Sequence, residues 1–294
     1  MAKGQQKKIS IIPLGGLGEI GKNMTAFRYG EEIILVDAGL AFPDDEMLGI
    51  DLVIPNFSYL VENKDKVKAI FLTHGHEDHI GAMPYVMKEL NCPVYGCPLT
   101  LGILSGRLRE NGVSDQKCKA VKAGATVRAG SFRVEFIHVN HSIPDAVSLA
   151  IHTPVGTIVH TGDYKFDQTP VDGQPTDFAR LAEIGDKGVL LLLADSTNIE
   201  RPGFTPSEKN VGKTLDEQFR AAKNRIIVAT FSSNVHRLQQ VIDAAVMTRR
   251  KVAVIGRSMV NVVNIASEMG YLKIPKGVLI DIDETRNYSP RQIA

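Results

Sequence analysis

The sequence has no tryptophan, few cysteines and no apolar run long enough to cross a membrane. The three cysteines, Cys92, Cys97 and Cys118, are odd in number and form no C-x-x-C pair. We therefore expect reduced thiols rather than disulfides or metal ligands, as is usual in the cytoplasm. The polar, basic N-terminus lacks the apolar core of a secretory signal. These absences predict a cytoplasmic protein without a membrane segment.

An excess of positive charge is also missing. The formal net charge is +1 over 294 residues, so composition alone does not point to nucleic acid. Binding to RNA would need a local basic patch, and the two candidates are the lysine-rich start and the stretch 107–122. The alternative for each is a solvated charged face, which the sequence favours when each stretch is taken alone.

The first two thirds of the chain are rich in short strands. Residues 8–40 predict a strand, a glycine loop and two strands around a turn at Gly30. Residues 67–73 predict a buried strand, and a helix is expected from about residue 81 to 90. The leucine run of residues 188–195 predicts a further, fully buried strand.

The pattern changes after Asp195. Thr205, Pro206 and Glu208 form a predicted capping box at the start of a helix. Strands are then predicted at 225–231, 251–256 and 278–283, alternating with helices at 235–248 and 259–270. In the first of these helices an apolar stripe is predicted to face the core, namely Val235, Leu238, Val241, Ile242, Ala245 and Val246.

This alternation is typical of a parallel sheet. The chain therefore predicts an α/β protein with one domain in residues 1–205 and an incomplete, doubly wound second domain in residues 206–294. We expect it to be part of a longer protein.

The glycine loop contains a match to the G-x-G-x-x-G nucleotide motif at Gly16, Gly18 and Gly21. Asp37 follows at about the distance of a ribose-binding carboxylate. The motif requires a helix to begin inside the loop, whereas a β-rich run follows here. We therefore favour a tight glycine turn that permits a close backbone approach over a nicotinamide-dependent oxidoreductase.

The segment "THGHEDHIGA", residues 73–82, concentrates histidines and carboxylates at the end of the predicted strand. His74 and His76 are two residues apart in an extended segment, so their imidazoles can point the same way. Asp78 and His79 follow where the next helix begins. Imidazole nitrogen and carboxylate oxygen are ligands that suit zinc. The alternative, a polar surface loop, explains this density of ligands poorly.

One ion is a poor fit for this segment because Asp78 and His79 are neighbours and their side chains diverge. Two ions that share a carboxylate fit better. Additional ligands are then expected at two later strand ends, which carry His138, His141, His160 and Asp163.

The same segments resemble the metallo-β-lactamase fold. "THGHEDHIGA" matches its H-x-H-x-D-H motif, and "VDAG", "NHSIPDA" and "HTGDYKFD" match its other motifs in order. "LGGLGEIGKNM", "FPDDEMLGIDLVIP" and "ADSTNIERPGFTPSE" are similar to the ribonuclease J group, in which a β-CASP domain interrupts the metallo-β-lactamase domain. The resemblance implies a metallo-β-lactamase αββα sandwich followed by a partial β-CASP domain, as the N-terminal portion of such a protein.

The resemblance also implies roles for individual residues. His74, His76 and His141 would hold one zinc ion, Asp78 and His79 the other, and Asp163 would bridge both. The family adds a histidine ligand that would follow residue 294. Asp37 would orient the metal cluster, and Asp195 would support the active site by hydrogen bonding. His138 and His160 are expected to pack or cap their strands.

A 5′-phosphate pocket is implied near Ser232, Ser233, Asn234 and His236. The plain alternative there is a Ser/Asn cap at the start of a helix.

The implied function is a ribonuclease with two Zn²⁺ per active site, or Mn²⁺ or Mg²⁺ in their place. A metal-bridged hydroxide would attack the RNA phosphodiester in line. The family implies 5′-to-3′ exonuclease action on 5′-monophosphate RNA plus endonuclease action, in RNA processing and decay. RNA and further copies of the chain, as a homodimer or homotetramer, are the implied partners. The alternatives are a hydrolase of a small thioester or lactone, and a non-catalytic RNA-binding or scaffold protein.

Overall fold

The computed structural model of the protein describes residues 8–294, so most of the lysine-rich start, residues 1–7, lies outside the described residues. The chain divides into two compact units. The first contains the chain up to Val139 together with Asp145–Tyr164 and Asp177–Arg201. The second contains Asn140–Pro144, Lys165–Thr176 and Pro202–Ala294. The second unit is thus discontinuous in sequence, and a domain boundary at residue 205 stays a prediction.

The first unit contains a six-stranded sheet in which the strands lie in chain order. Its strands are β1 Ile9–Gly15, β2 Met24–Tyr29, β3 Glu32–Val36, β4 Val67–Phe71, β5 Val94–Gly96 and β6 Cys118–Ala120. The first three pair antiparallel and the others pair parallel. The accompanying helices are α1 Ser58–Glu62, α2 Glu77–Ile80, α3 Met83–Glu89 and α4 Pro98–Glu110, with a 3-10 turn at Lys64–Lys66. The turn at Gly30 and the strand before the histidine segment are confirmed.

A second, five-stranded sheet completes this unit. Its strands are β7 Thr126–Ala129, β8 Phe132–His138, β9 Val147–Thr153, β10 Gly156–His160 and β11 Leu191–Leu193, and one helix is added, α5 Phe178–Asp186. Their spatial order is β11-β10-β9-β8-β7, and only the β10–β11 pair is parallel.

The core of the first unit lies between these two sheets. Phe27 and Phe71 of the first sheet and Phe132 and Phe136 of the second are fully buried in one cluster. The rings of Phe71 and Phe136 are 6.1 Å apart. Burying each such side chain stabilises the fold by about 1.5–3 kcal/mol. The result is the expected sandwich of two sheets with helices.

The prediction of a fully buried strand at residues 188–195 is wrong. Only Leu191–Leu193 form a strand, and Leu190 and Leu192 are 53% and 58% exposed. The reason is its position: β11 is at the edge of the sheet and pairs, within the described residues, with β10 alone. A continuous apolar run does not distinguish an edge strand from a central one.

The second unit is built around three helices, α6 Lys209–Ala221, α7 Val235–Met247 and α8 Arg257–Glu268. Two short strands, β12 Val252–Ala253 and β13 Leu279–Ile280, pair parallel as predicted. Two 3-10 turns follow at Ile282–Asn287 and Pro290–Gln292. The predicted stripe of α7 is buried except for Val246, which is 40% exposed.

The predicted strand at 225–231 does not form. Ile226 and Val228 pack against the apolar cluster of this unit, and the Ile226 N–H donates to the Ile293 carbonyl at 3.3 Å. Ile227 and Phe231, in contrast, are 88% and 84% exposed. The apolar alternation therefore corresponds to packing against a core, but among the described residues the segment pairs with no neighbouring strand.

The predicted capping box at Thr205 is also wrong, because α6 begins at Lys209 with Glu208 as its N-cap. The cause is a contact within the second unit. Ser207 Oγ donates to Asp167 Oδ2 at 3.0 Å, and the Glu208 N–H donates to the same oxygen at 3.1 Å. These groups hold Asp167 of the 165–176 loop, and Ser207 Oγ also accepts the Lys209 N–H at 3.3 Å, so the helix begins after Glu208 and not at Thr205.

All three cysteines are free thiols. Burial raises the pKa of Cys92 and Cys118 to about 11 and that of Cys97 to about 12. They are therefore protonated and unreactive near neutral pH. Across residues 8–294 no helix combines the length and the hydropathy that a membrane span requires.

Gly39, just after β3, is pressed against the backbone of α2. A Cβ atom at this position would lie 1.6 Å from the carbonyl oxygen of Asp78. The Gly39 N–H also donates to the Asn23 carbonyl at 2.9 Å. The strand end, the glycine loop and α2 thus meet where only a glycine fits.

We predict that Gly39→Ala lowers the free energy of unfolding by about 3 kcal/mol or more, because the methyl group collides with backbone rather than with a flexible side chain. Gly185→Ala is the matched control, since Gly185 lies in α5 and a Cβ there meets nothing within 4 Å. That change should raise stability by about 0.5–1 kcal/mol. Urea unfolding measures both, and equal effects in the two variants would contradict the close contact.

Candidate metal centre

The histidine segment leaves β4 and turns directly into α2. His76 is the N-cap of α2 and keeps an extended backbone, with φ −78° and ψ 152°. Its carbonyl accepts the N–H groups of His79 and Ile80 at 3.0 and 2.9 Å. His74 and His76 therefore lie on extended chain, with ring centroids 4.6 Å apart, while the helix presents Asp78 and His79. This agrees with the predicted start of a helix.

Two groups of potential ligands share one carboxylate. In one, ligand atoms of His74, His76 and Asp163 lie within 4.8 Å of one another. In the other, those of Asp78, His79 and Asp163 do so. Asp163 Oδ2 is 4.0 Å from His74 Nε2, and its Oδ1 is 3.2 Å from His79 Nε2. Each oxygen of Asp163 thus faces a different group, which is the placement that a bridging ligand requires.

Asp163 reaches this position through a turn at the end of β10. Gly162 has φ +58°, and a Cβ there would lie 3.0 Å from the Thr73 side chain. The Gly162 N–H donates to His160 Nδ1 at 3.1 Å. His160 therefore stabilises the turn that carries Asp163, a contact that fits its predicted structural role. At the end of β8 the His138 carbonyl accepts the Asp177 N–H at 3.1 Å, and the structural role of the His138 side chain stays a prediction.

Asp37 lies behind His79 and is 1% exposed. Its Oδ2 is 2.8 Å from His79 Nδ1, and it also accepts hydrogen bonds from the Thr73 hydroxyl (Oδ2) and N–H (Oδ1), both at 2.8 Å. A carboxylate at Nδ1 favours the tautomer in which Nδ1 carries the proton, leaving Nε2 to bind a metal. This is the arrangement that the predicted orienting role of Asp37 requires.

Thr73 favours the same tautomer, with the proton on Nδ1, in His74. Because its hydroxyl proton goes to Asp37, its oxygen is able to accept a hydrogen bond from His74 Nδ1, 3.0 Å away. His74, like His79, then directs Nε2 towards Asp163. Sequence reasoning missed Thr73, although its place directly before His74 was a usable signal.

Charges in this cluster change the proton affinities of its members. Burial opposes protonation of His79, but the carboxylates of Asp37 and Asp163 outweigh it and raise the pKa of His79 well above its ordinary value. Burial, with a contribution from Asp163, raises the pKa of Asp78. Burial lowers the pKa of His160. A carboxyl group such as Asp78, whose ionised form is disfavoured by burial and a neighbouring carboxylate, indicates a site that a bound cation would stabilise.

A cleft with a volume of about 930 Å³ opens onto this cluster. Its lining includes the glycine loop, the segment 192–201 and three residues of the cluster, Asp78, His79 and Asp163. Asp195 lines the cleft as well, but its Oδ1 accepts from the Thr197 N–H and hydroxyl at 2.9 and 2.6 Å. Its carboxylate thus bonds within its own turn, and its catalytic role stays a prediction.

Arg107, one of the basic residues considered for RNA binding, is already engaged. Its Nε donates to Glu77 Oε1 at 2.8 Å, and a second guanidinium nitrogen contacts the same oxygen. Glu77 lies between His76 and Asp78 in the ligand segment. Arg107 therefore supports α2 from α4 rather than contributing charge to an open surface.

The other predicted site residues belong to the second compact unit. His141 lies in its segment Asn140–Pro144, and its role as a zinc ligand stays a prediction. Asn234 is the N-cap of α7 and accepts the Arg237 N–H at 3.0 Å, which is the plain capping role. Ser232 Oγ lies 2.8 Å from Ser258 Oγ, and His236 Nε2 is 3.9 Å from Asp172 Oδ2. A phosphate pocket at Ser232, Ser233, Asn234 and His236 stays a prediction.

Two family matches cover most of the chain. Residues 17–203 match the metallo-beta-lactamase superfamily, and residues 223–294 match the beta-CASP domain of ribonuclease J. The chain is 47% identical over 287 residues to a Helicobacter pylori protein named ribonuclease J. It is 48% identical over 298 residues to a Thermus thermophilus protein of the same name. These alignments cover 97% and 99% of the chain but 42% and 52% of the relatives, so the chain spans about half their length.

One solved structure, of an Enterococcus faecalis protein of unknown function, matches with a TM-score of 0.68 at 18% identity. The alignment covers 96% of this chain and 75% of the chain in that structure. At this identity the match supports the fold alone. The expected metallo-β-lactamase domain followed by a partial β-CASP domain is confirmed by the two family matches.

We predict that Asp37→Asn weakens zinc binding about 10- to 100-fold, because the amide no longer stabilises the Nδ1–H tautomer of His79. Competition with a chromophoric chelator measures the affinity. The matched control is Asp177→Asn at the N-cap of α5, where the oxygen accepts the Arg180 N–H and asparagine caps equally well. Equal zinc affinity in Asp37→Asn and the parent would show that Asp37 does not orient a ligand.

Proposed function

Because the chain belongs to the metallo-β-lactamase superfamily and matches ribonuclease J proteins over nearly its whole length, we propose that it acts as a metal-dependent ribonuclease. The proposal includes two Zn²⁺ ions, or Mn²⁺ or Mg²⁺ in their place. It also includes 5′-to-3′ exonuclease action on 5′-monophosphate RNA together with endonuclease action. The observation that carries it is the pair of ligand groups that share Asp163, of which Asp78, His79 and Asp163 line a cleft.

The donor set fits two divalent ions. His74, His76 and Asp163 supply two imidazoles and a carboxylate, while Asp78, His79 and Asp163 supply one imidazole and two carboxylates. Such mixtures of nitrogen and oxygen suit zinc or manganese. Bound there, two ions would lower the pKa of a water molecule and offset negative charge on a phosphoryl group. His141 is the proposed further ligand of the first group.

The charge of the cleft makes any reaction with RNA dependent on bound cations. Six carboxylates are among its lining residues, namely Glu19, Asp37, Asp78, Asp163, Asp195 and Glu200. Within the described residues the lining includes one arginine, Arg201. A polyanion would be repelled by this surface unless cations offset the carboxylates. A neutral substrate would need no such compensation for binding.

The residues around the ligands keep the reacting region in one geometry. Asp37 and Thr73 fix the tautomers of His79 and His74, so both rings present Nε2 to the same carboxylate. Arg107 holds Glu77 and thereby the short helix that carries Asp78 and His79. A phosphodiester that enters the cleft then meets ligands that need little rearrangement, which lowers the barrier.

Further parts of the proposal concern binding and assembly. Asp195 would support the active site from the wall of the cleft. Ser232, Ser233, Asn234 and His236 would receive a 5′-phosphate near the start of α7, where backbone N–H groups favour an anion. RNA is the proposed substrate, a homodimer or homotetramer the proposed assembly, and the cytoplasm the proposed location.

We predict that His76→Ala slows degradation of 5′-monophosphorylated, labelled RNA by at least about 100-fold, since a lost ligand removes several kcal/mol of stabilisation. The matched control is His152→Ala, which changes a histidine of β9 that contacts Glu135 and Thr157. It should keep activity within about threefold of the parent.

RNA substrates labelled at the 5′ end and RNA substrates labelled internally give different products, which distinguishes exonuclease from endonuclease action. If His76→Ala degrades RNA as fast as the parent, the histidine cluster is not the active site. If the parent hydrolyses a thioester or lactone but leaves RNA intact, the protein is a small-substrate hydrolase. In both comparisons circular dichroism must show that the variants are folded.

A further inference from the structure

The glycine loop between β1 and β2 has no place in the reaction described so far. Gly16, Gly18 and Gly21 have φ values of +82°, +72° and +91°, and the strand β2 follows instead of a helix. A dinucleotide site is therefore ruled out by the geometry that the motif needs. The loop ends at Asn23, which points into the metal centre.

The side chain of Asn23 contacts two of the three ligands of one group, Asp78 and His79. Its Nδ2 donates to the Asp78 carbonyl at 3.0 Å, lies 3.5 Å from Asp78 Oδ2 and lies 3.1 Å from His79 Nε2. Metal binding requires His79 Nε2 to lose its proton while Asp37 keeps a proton on Nδ1. In that state Nε2 is an acceptor, and the Asn23 amide is a donor beside it. One N–H of the amide thus bonds the backbone carbonyl of Asp78, and the amide nitrogen also lies beside the two side-chain atoms that a metal would bind.

The backbone of Asn23 is held from two sides. Its N–H donates to the Asp78 carbonyl at 3.0 Å, and its carbonyl accepts the Gly39 N–H at 2.9 Å. The end of β3, the glycine loop and α2 are therefore joined at this residue. With its backbone held in this way, the amide has little freedom to turn away from Asp78 and His79.

Gly16 makes room for this side chain. A Cβ at Gly16 would lie 2.6 Å from Asn23 Oδ1 and 3.0 Å from Asn23 Cα. Gly18 has a similar backbone conformation, yet a Cβ there meets nothing within 4 Å. The two glycines are under the same conformational requirement, but only Gly16 abuts Asn23.

We propose that Asn23 is a positioning residue for the metal site formed by Asp78 and His79, and that the glycine loop serves to seat it. The amide keeps Asp78 Oδ2 and His79 Nε2 converged before a metal arrives, so that less rearrangement is needed on binding. After binding, the bond to the Asp78 carbonyl continues to hold the start of α2. This inference rests on the proposed metal-dependent function.

Zinc binding without RNA tests the inference independently of nuclease activity. In a His76→Ala background, where the other ligand group is disabled, Asn23→Ala should raise the dissociation constant of the remaining zinc at least about 10-fold. The matched control, Asn63→Ala, removes an amide that donates to the Tyr59 carbonyl and should change this constant less than about twofold. In the parent background Asn23→Ala should weaken one of the two zinc-binding steps and leave the other unchanged.

The glycines supply a second pair of variants. Gly16→Ala displaces the Asn23 side chain and should weaken the same zinc-binding step, whereas Gly18→Ala imposes similar backbone strain and should not. Long-range ¹H–¹⁵N NMR of the metal-free protein gives a direct readout. The His79 Nε2 resonance should shift in Asn23→Ala and in Gly16→Ala, but not in Asn63→Ala or Gly18→Ala.

Three outcomes would overturn the inference. Unchanged zinc affinity in Asn23→Ala would mean that the amide does not position the ligands. Tighter binding would mean that it competes with the metal for His79 Nε2. If Gly16→Ala and Gly18→Ala weaken zinc binding equally and lose equal thermal stability, the loop acts only as a structural turn and does not seat Asn23. If the unsubstituted protein does not degrade RNA, the proposed function is contradicted. The zinc measurements still test the role of Asn23 in that case.

Discussion

The buried carboxylate of Asp37 is the group on which the rest of the metal centre depends. Removing an ionised carboxylate from water is costly unless hydrogen bonds replace the lost hydration. Asp37 obtains them from the Thr73 N–H, the Thr73 hydroxyl and His79 Nδ1, each at 2.8 Å. Those same three bonds join the ends of β3 and β4 to α2 and set the direction of the ligand nitrogens. The same three hydrogen bonds therefore stabilise the first unit and orient the ligands.

The sandwich brings the remaining chemistry to the same place. The two sheets bury one cluster of large side chains between them, which fixes where β4 and β10 end. His74 and His76 follow one of these strands and Asp163 follows the other. Six carboxylates line the cleft onto which these strand ends open, more than the basic residues of its lining offset. Such a surface is suited to a polyanionic substrate only when cations are bound, which links the proposed metals to the proposed RNA substrate.

Local patterns predicted the elements whose signals are local. The histidine segment, the turn at Gly30 and the stripe of α7 were recognisable because each depends on residues close together in sequence. The leucine run at 188–195 misled because an edge strand has the same composition as a central one. The capping box at Thr205 does not form because Glu208 bonds to Asp167, which is distant in sequence. The strand at 225–231 does not form, and its residues Ile226 and Val228 pack instead against the apolar cluster of the second unit. Tertiary contacts overrode a correct local preference in each of these cases.

The sequence by itself determined the kinds of ligand, their order along the chain and the strand ends that carry them. Spacing was sufficient for this, because a histidine two residues from another on an extended segment has only a few possible directions. The tertiary structure decided which nitrogen each imidazole presents, that Asp163 faces both groups, and that Asn23 joins the centre. The reason is separation along the chain: Asp37 and His79 are 42 residues apart, and Asn23 and Asp78 are 55 apart. No local pattern encodes such contacts, and only the folded chain brings these atoms within hydrogen-bonding distance.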